Sequence, residues 1–134
     1  MKVKIARTAW QQILLAAEQN PDQEVCGLLI GHGHLIEEAL PAANVATDPA
    51  RRFEIDPAVL LGAHRQARHS GRLVLGHYHS HPGGKAQPSL RDAASAHDDG
   101  ALWIIVGKGD IAAFRAMIGG AIAGRFDPAG LEIV

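Results

Sequence analysis

The chain has 134 residues, 47% of them hydrophobic and 20% charged, which suits one ordinary globular domain with a single core. The formal net charge is −1 and the four lysines and nine arginines are scattered, so the basic excess of a nucleic-acid binder is missing. One cysteine, Cys26, excludes an intrachain disulfide, and no apolar run approaches the ~20 residues needed to span a membrane. The opening MKVKIARTAW lacks the apolar centre of a signal peptide, so a cytoplasmic protein is the expectation.

Lys2 to Ile5 alternates and reads as a short strand. Thr8 reads as an N-cap with Gln11 as its capping-box partner, and Trp10, Ile13, Leu14 and Ala17 follow at helical spacing. Asn20-Pro21 ends that helix. "EVCGLLIG" is a compact apolar run, hence a buried strand, and Gly31 to His34 turns it into "LIEEAL". Pro41 to Ala50 reads as loop and "RRFEI" as a strand. Asp56 caps a second helix with Pro57 in its first turn, Val59, Leu60, Ala63 and Ala67 forming the buried stripe and Gly71 the stop. "RLVLGHYH" is the next strand. Ser89 caps a third helix running to about His97. "ALWIIVG" and "IAAFRAMI" are strands joined by "KGD", and "LEIV" closes the chain. The order predicts one α/β domain, residues 1–134, with a mixed β-sheet flanked by about three helices.

The stretch "YHSHPGGKAQPSLRD" holds the densest set of metal-binding groups. Alternate strand residues point the same way, so His79 and His81 share a face with backbones ~6.6 Å apart. Zinc takes histidine nitrogen and carboxylate oxygen, and three protein ligands leave a fourth position open for chemistry. Asp92, in the first turn of the helix that Ser89 caps, is the natural third ligand. His-x-His alone occurs by chance, and Ser-x-x-Asp is an ordinary capping pair. Their combination after a buried strand favours a zinc site. His77 shares the face of the pair but lies ~13 Å along an ideal strand from His81, which makes it a packing or supporting residue. Glu24, at the head of an apolar strand, is either an exposed strand end or a general base beside a metal-bound water.

These residues resemble the JAMM (MPN+) metalloproteases. That family's signature is a glutamate in a strand, then His-[Ser/Thr]-His-Pro, then Ser-x-x-Asp seven residues after the proline. His79-Ser80-His81-Pro82 followed by Ser89-Leu90-Arg91-Asp92 matches that spacing, and Glu24 heads a similar strand. The resemblance covers Glu24 to Val106 and is closest to the small bacterial and archaeal members, whose MPN/JAB layout is related to that of cytidine deaminases. It implies one Zn2+ per chain held by His79, His81 and Asp92, with Glu24 as general base and Ser89 as oxyanion donor. It also implies hydrolysis of a peptide or isopeptide bond in the Gly-Gly tail of a ubiquitin-like or sulfur-carrier protein. An aromatic residue is common in the family where this chain has His77. The segments with which eukaryotic members grip ubiquitin need a longer chain, so a ubiquitin chain is not the expected substrate. The alternative is a non-catalytic MPN scaffold or binding module, but such members lose metal ligands that this chain keeps. A zinc deaminase needs Pro-Cys-x-x-Cys, which a single cysteine cannot supply.

Overall fold

A computed structural model describes residues 1–134. Strand β1 (Lys2–Ile5) leads into helix α1 (Arg7–Gln19), and the hairpin β2 (Cys26–His32) and β3 (Leu35–Ala42) follows. Helix α2 (Pro57–His69), strand β4 (Leu73–Ser80) and the short helix α3 (Leu90–Ser95) come next. Strands β5 (Leu102–Gly107), β6 (Asp110–Ala116) and β7 (Phe126–Ile133) complete the chain. The strands lie in the order β1-β3-β2-β4-β5-β6-β7, and β1 also pairs with β7, so the sheet closes on itself. The expected mixed sheet and three helices are present, but the sheet closes into a barrel-like form instead of staying open. Two short parallel ladders do the closing. Lys4 and Ile5 pair with Leu35 and Ile36 on one side, and Lys2 to Ile5 pair with Gly130 to Ile133 on the other. This four-residue strand is paired on both edges, and both neighbours come from distant parts of the chain, a relation that no local periodicity encodes. No helix is long and apolar enough to cross a membrane.

Two apolar clusters fill the two faces of β5, which is why its sequence is apolar without alternation. Leu102, Ile104 and Val106 join Tyr78, Leu29, Val3, Ile5 and Ile13 of α1, and Trp103 and Ile105 join Phe114, Phe126, Ala93 and Ala96. Each large side chain buried this way contributes roughly 1.5–3 kcal/mol. The same parity governs β4. Tyr78 points into the first cluster, so His77 and His79 point to the other face, beside Trp103.

Other expectations change in instructive ways. Helix α1 starts at Arg7, not after Thr8, and its N-cap, Ala6, makes no side-chain cap. The Ala6 and Arg7 N–H groups donate to the Ile36 and Val134 carbonyls, so two of the four donors at this helix end are taken up by sheet backbone. Helix α2 buries only Ala63 and Ala67, against Leu28 and Ile30, while Val59 and Leu60 are exposed. Two small side chains let the helix ride close on the barrel, and the larger aliphatics are left outside. "RRFEI" forms no strand. Apart from Val45 N–H donating to Glu54 O at 3.0 Å, it has no neighbouring backbone to ladder with. Helix α3 ends at Ser95.

Candidate metal centre

The site is built where β4 runs out. The backbone pairing of β4 continues one residue past Ser80, since His81 N–H donates to Val106 O at 2.7 Å. This keeps His79 and His81 in strand geometry, on one face. The chain then reverses: Gly84 N–H donates to His81 O at 3.0 Å, with Pro82 and Gly83 (φ +68°) at the two central positions. Proline then glycine at positive φ is the type II turn pattern. The returning segment lies against the end of β5, where a Cβ on Gly107 would come within 2.3 Å of Ala86 N. Only glycine there lets the segment pass close enough to bring α3 back under the histidines.

At the start of α3, Ser89 and Asp92 form a reciprocal capping box. Asp92 N–H donates to Ser89 Oγ at 3.0 Å, and Ser89 N–H donates to Asp92 Oδ2 at 2.9 Å. That same oxygen lies 3.2 Å from His79 Nε2 and 3.1 Å from His81 Nε2, and the two nitrogens are 3.1 Å apart. Three donor atoms therefore form a nearly equilateral triangle. Ligand atoms placed tetrahedrally at ~2.0–2.1 Å around zinc are ~3.3 Å from one another. The triangle is thus the size of one face of such a polyhedron. Hydrogen bonding alone explains it less well, because protons must be shared among three atoms that all face one point. His81 Nδ1 lies 3.0 Å from Lys85 O. Donating its proton there leaves the Nε2 lone pair facing the triangle.

His79 is fully buried and is oriented by packing. Its ring stacks on Phe53 at 4.4 Å and meets Trp103 edge-on, while its Nδ1 has no hydrogen-bond partner. Burial holds its pKa below the usual histidine range, against the pull of Asp92. Burial works the same way on His81, but hydrogen bonds to Asp92 and the Lys85 carbonyl outweigh it and raise that pKa. Burial would raise the Asp92 carboxyl, yet the two histidines and the Ser89 N–H hold it far below the ordinary value. A neutral His79 and an ionised Asp92 are the forms in which such groups bind metal.

His77 stays outside the triangle. It packs between Phe53 and Trp103 at ring distances of 4.9 and 4.3 Å, with its Nε2 shut off from solvent and unpartnered. Burial, helped by His79, pushes its pKa down to about 3, so it is neutral. Here an imidazole does the packing of an aromatic ring.

Glu24 comes from the other side. It precedes β2, is 7% exposed, and its carboxylate shares a cluster with His79 and His81 in which all donor atoms lie within 4.8 Å of one another. Its separation exceeds that of the Asp92 triangle, which suits a group acting through a water better than a fourth direct ligand. Burial and the charge of Asp92 raise its pKa to about 7, against the opposing influence of His81 and Arg91. Ser80, quoted in the sequence only as part of the histidine motif, fixes this approach. Its buried Oγ accepts from Val25 N–H at 2.9 Å, and its own N–H donates to Val25 O at 3.0 Å. Ser89 is exposed at the cleft, and its hydroxyl proton is free because its oxygen acts as acceptor in the cap.

Two separate depressions border the centre. A polar cleft of about 370 Å³ is lined by Glu24, Ser89 and Asp92 with Phe53, Arg51 and Arg91. A more apolar groove of about 660 Å³ runs from His81 between α1 and the β5–β6 hairpin. Strands β2, β4 and β5, which flank the centre, are each paired on both sides. Phe53 and Asn44 were not singled out in the sequence. Asn44 sits in a loop without a motif, and its one signal is the preference of Asn for turns that bond their own backbone.

Comparison with known proteins gives a consistent result. Residues 6–117 match the family of prokaryotic homologues of the JAB domain. The chain is 31% identical over 110 residues to a desampylase of Haloferax volcanii, covering 78% of this chain and 79% of that protein. It is 38% identical over 74 residues to a probable TtuB-protein conjugate cleaving protease of Thermus thermophilus, covering 55% of this chain and 49% of that one. A solution structure of a Desulfitobacterium hafniense protein superposes with a TM-score of 0.83 at 26% identity, covering 98% of this chain and 92% of that one.

Proposed function

The chain belongs to the prokaryotic JAB-domain family, and from that premise we propose that it is a zinc isopeptidase cleaving the C-terminal Gly-Gly tail of a ubiquitin-like or sulfur-carrier protein from what it is joined to. The observation that carries this reading is the triangle of His79 Nε2, His81 Nε2 and Asp92 Oδ2, with sides of 3.1–3.2 Å. Those three side chains would hold one zinc ion per chain. When bound, zinc supplies Lewis acidity and brings a water's pKa toward ~7.

The residues of the chain do the rest. Glu24, with a pKa raised to about 7, takes the proton of the attacking water and returns it to the leaving amine. Ser89 directs its free O–H at the carbonyl oxygen as negative charge develops there. His77, Phe53 and Trp103 wall the centre with rings and keep His79 from rotating. Gly-Gly suits the approach because it has no side chains to clash in a narrow cleft. The conjugate-cleaving relative supports this substrate class.

The test is incubation of the zinc-loaded protein with a sulfur-carrier protein extended past its Gly-Gly. The expected result is a product whose mass ends at that glycine. Equal cleavage of unrelated unfolded proteins would show a general peptidase instead.

A further inference from the structure

Glu24 lies before β2, outside the sheet ladder, yet its carboxyl has to stay above a triangle only ~3 Å on a side. Part of its backbone support comes from Ser80 through Val25. The rest comes from one loop. Glu24 N–H donates to Pro49 O at 2.8 Å, and Glu24 O accepts from Asn44 Nδ2 at 2.9 Å.

Asn44 is fully used at that point. Its Nδ2 also donates to Arg52 O at 2.9 Å, while its Oδ1 accepts from Ala46 N–H at 3.0 Å and Glu54 N–H at 3.2 Å. A carboxamide offers two N–H donors and two acceptor lone pairs, and all four are engaged here. No other side chain of that length does the same. Aspartate keeps the acceptors and loses both donors, and alanine loses everything. The Pro49 carbonyl makes a longer contact with Nδ2 at 3.5 Å, and these four partners fall on three separate stretches, Glu24, Ala46 and the pair Arg52 and Glu54. Phe53, which stacks on His79, lies between the last two. Arg91 Nη1 ties the loop's far side to α3 by donating to Arg51 O at 3.0 Å.

We propose that Asn44 is a positioning residue for the reaction: one carboxamide sets both the carboxylate of Glu24 and the Phe53 wall of the cleft. The assignment rests on the reading of Glu24 as the general base. Asn44 touches neither substrate nor metal, so its loss acts through geometry. Small displacements of a catalytic group are costly, and the expected fall in kcat is ~10- to 10²-fold.

Asn44→Ala and the isosteric Asn44→Asp carry the test, the second because it keeps the acceptor half of the network and the volume. Zinc content, amide hydrogen exchange, and kcat and KM on the Gly-Gly-extended sulfur carrier are measured for both. The expected result is wild-type zinc, wild-type protection of β5 and a kcat at least tenfold lower in both variants. Exchange at Ala46 and Glu54 should rise in the alanine variant and stay slower in the aspartate variant. A kcat within twofold of wild type in both overturns the proposal, as does a loss of protection that extends through β5. If the wild-type protein leaves the carrier intact, the proposed substrate falls. The exchange arm then decides on its own, because unchanged protection at Glu24, Ala46 and Glu54 in the alanine variant removes Asn44 as the pin.

Discussion

The two halves of the centre are made differently. His79, His81 and Asp92 lie within thirteen positions of one another, on the end of a strand and the first turn of a helix. Their geometry follows from regular elements: strand parity, a Pro-Gly turn and a capping box. Glu24 reaches the same point from 55 residues earlier, through Ser80 and a loop without repetitive structure. The triangle is preset by local rules, whereas the carboxylate facing it depends on contacts between distant segments. Damage to the first half should therefore remove the metal, and damage to the second should spare the metal and remove the chemistry.

The largest effect is expected in the triangle. His79→Ala and Asp92→Ala should each reduce zinc, measured by elemental analysis, from about one equivalent to a small fraction and abolish cleavage. Asp92→Ala also removes the reciprocal half of the capping box, the bond from Ser89 N–H, while Ser89 stays as the N-cap. Asp92→Asn separates the two roles, since an amide oxygen still accepts the Ser89 N–H but carries no charge for the metal. It should keep the fold and lose most of the zinc. Full zinc in both alanine variants would mean that the ligands lie elsewhere.

The carboxylate half should break in the complementary way. Glu24→Gln keeps size and loses basicity, so zinc and fold should survive while the rate of cleavage falls by ~10²–10⁴. Loss of zinc together with activity would erase the contrast and make Glu24 a ligand or a structural prop. Cleavage at the wild-type rate would leave it a buried strand-end carboxylate.

What the sequence made legible follows the same division. His79, His81 and Asp92 could be placed together because the spacing rules of strands, turns and caps act over a few residues. The apolar runs of β2, β4 and β5 were legible for a similar reason: burial on both faces shows directly in composition. Closure of the sheet was not, because β1 meets β3 and β7 through pairings that leave no periodic trace. "RRFEI" has the composition of a strand and lacks a partner strand. Asn44 carries no sequence signal beyond that of a loop residue because three of its partners, Glu24, Arg52 and Glu54, lie eight or more positions away. Thr8 shows the opposite error: it has the local signature of an N-cap, but the helix begins one residue earlier, at Arg7, where the chain leaves β1 with Ala6 and Arg7 N–H bonded to sheet backbone.

The smallest effect concerns the stability of the metal-free protein. Burial and the neighbouring Asp92 charge raise the Glu24 pKa from an ordinary 4.5 to about 7. Below pH 4.5 the carboxyl is protonated whether the chain is folded or unfolded, and it contributes no pH dependence. Between 4.5 and 7 the unfolded chain gives up this proton while the folded chain retains it. Stability therefore falls as pH rises through that window and levels off above 7. Asp92 acts in the opposite direction, because its folded pKa is depressed and its contribution disappears on acidification. His81, with a raised pKa, adds to the loss at rising pH. Comparison with Glu24→Gln isolates the glutamate, since the glutamine has no proton to lose and the remaining titrations are largely common to both proteins. In thermal melts with chelator present, the two should coincide near pH 4. At pH 8 the variant should be the more stable by on the order of 1–3 kcal/mol, as one pKa unit corresponds to about 1.4 kcal/mol. A constant difference across the whole range would show that Glu24 is solvated and titrates normally. It would then lack the raised basicity that suits it to take a proton near neutral pH, and the activity lost in the same variant would need another cause.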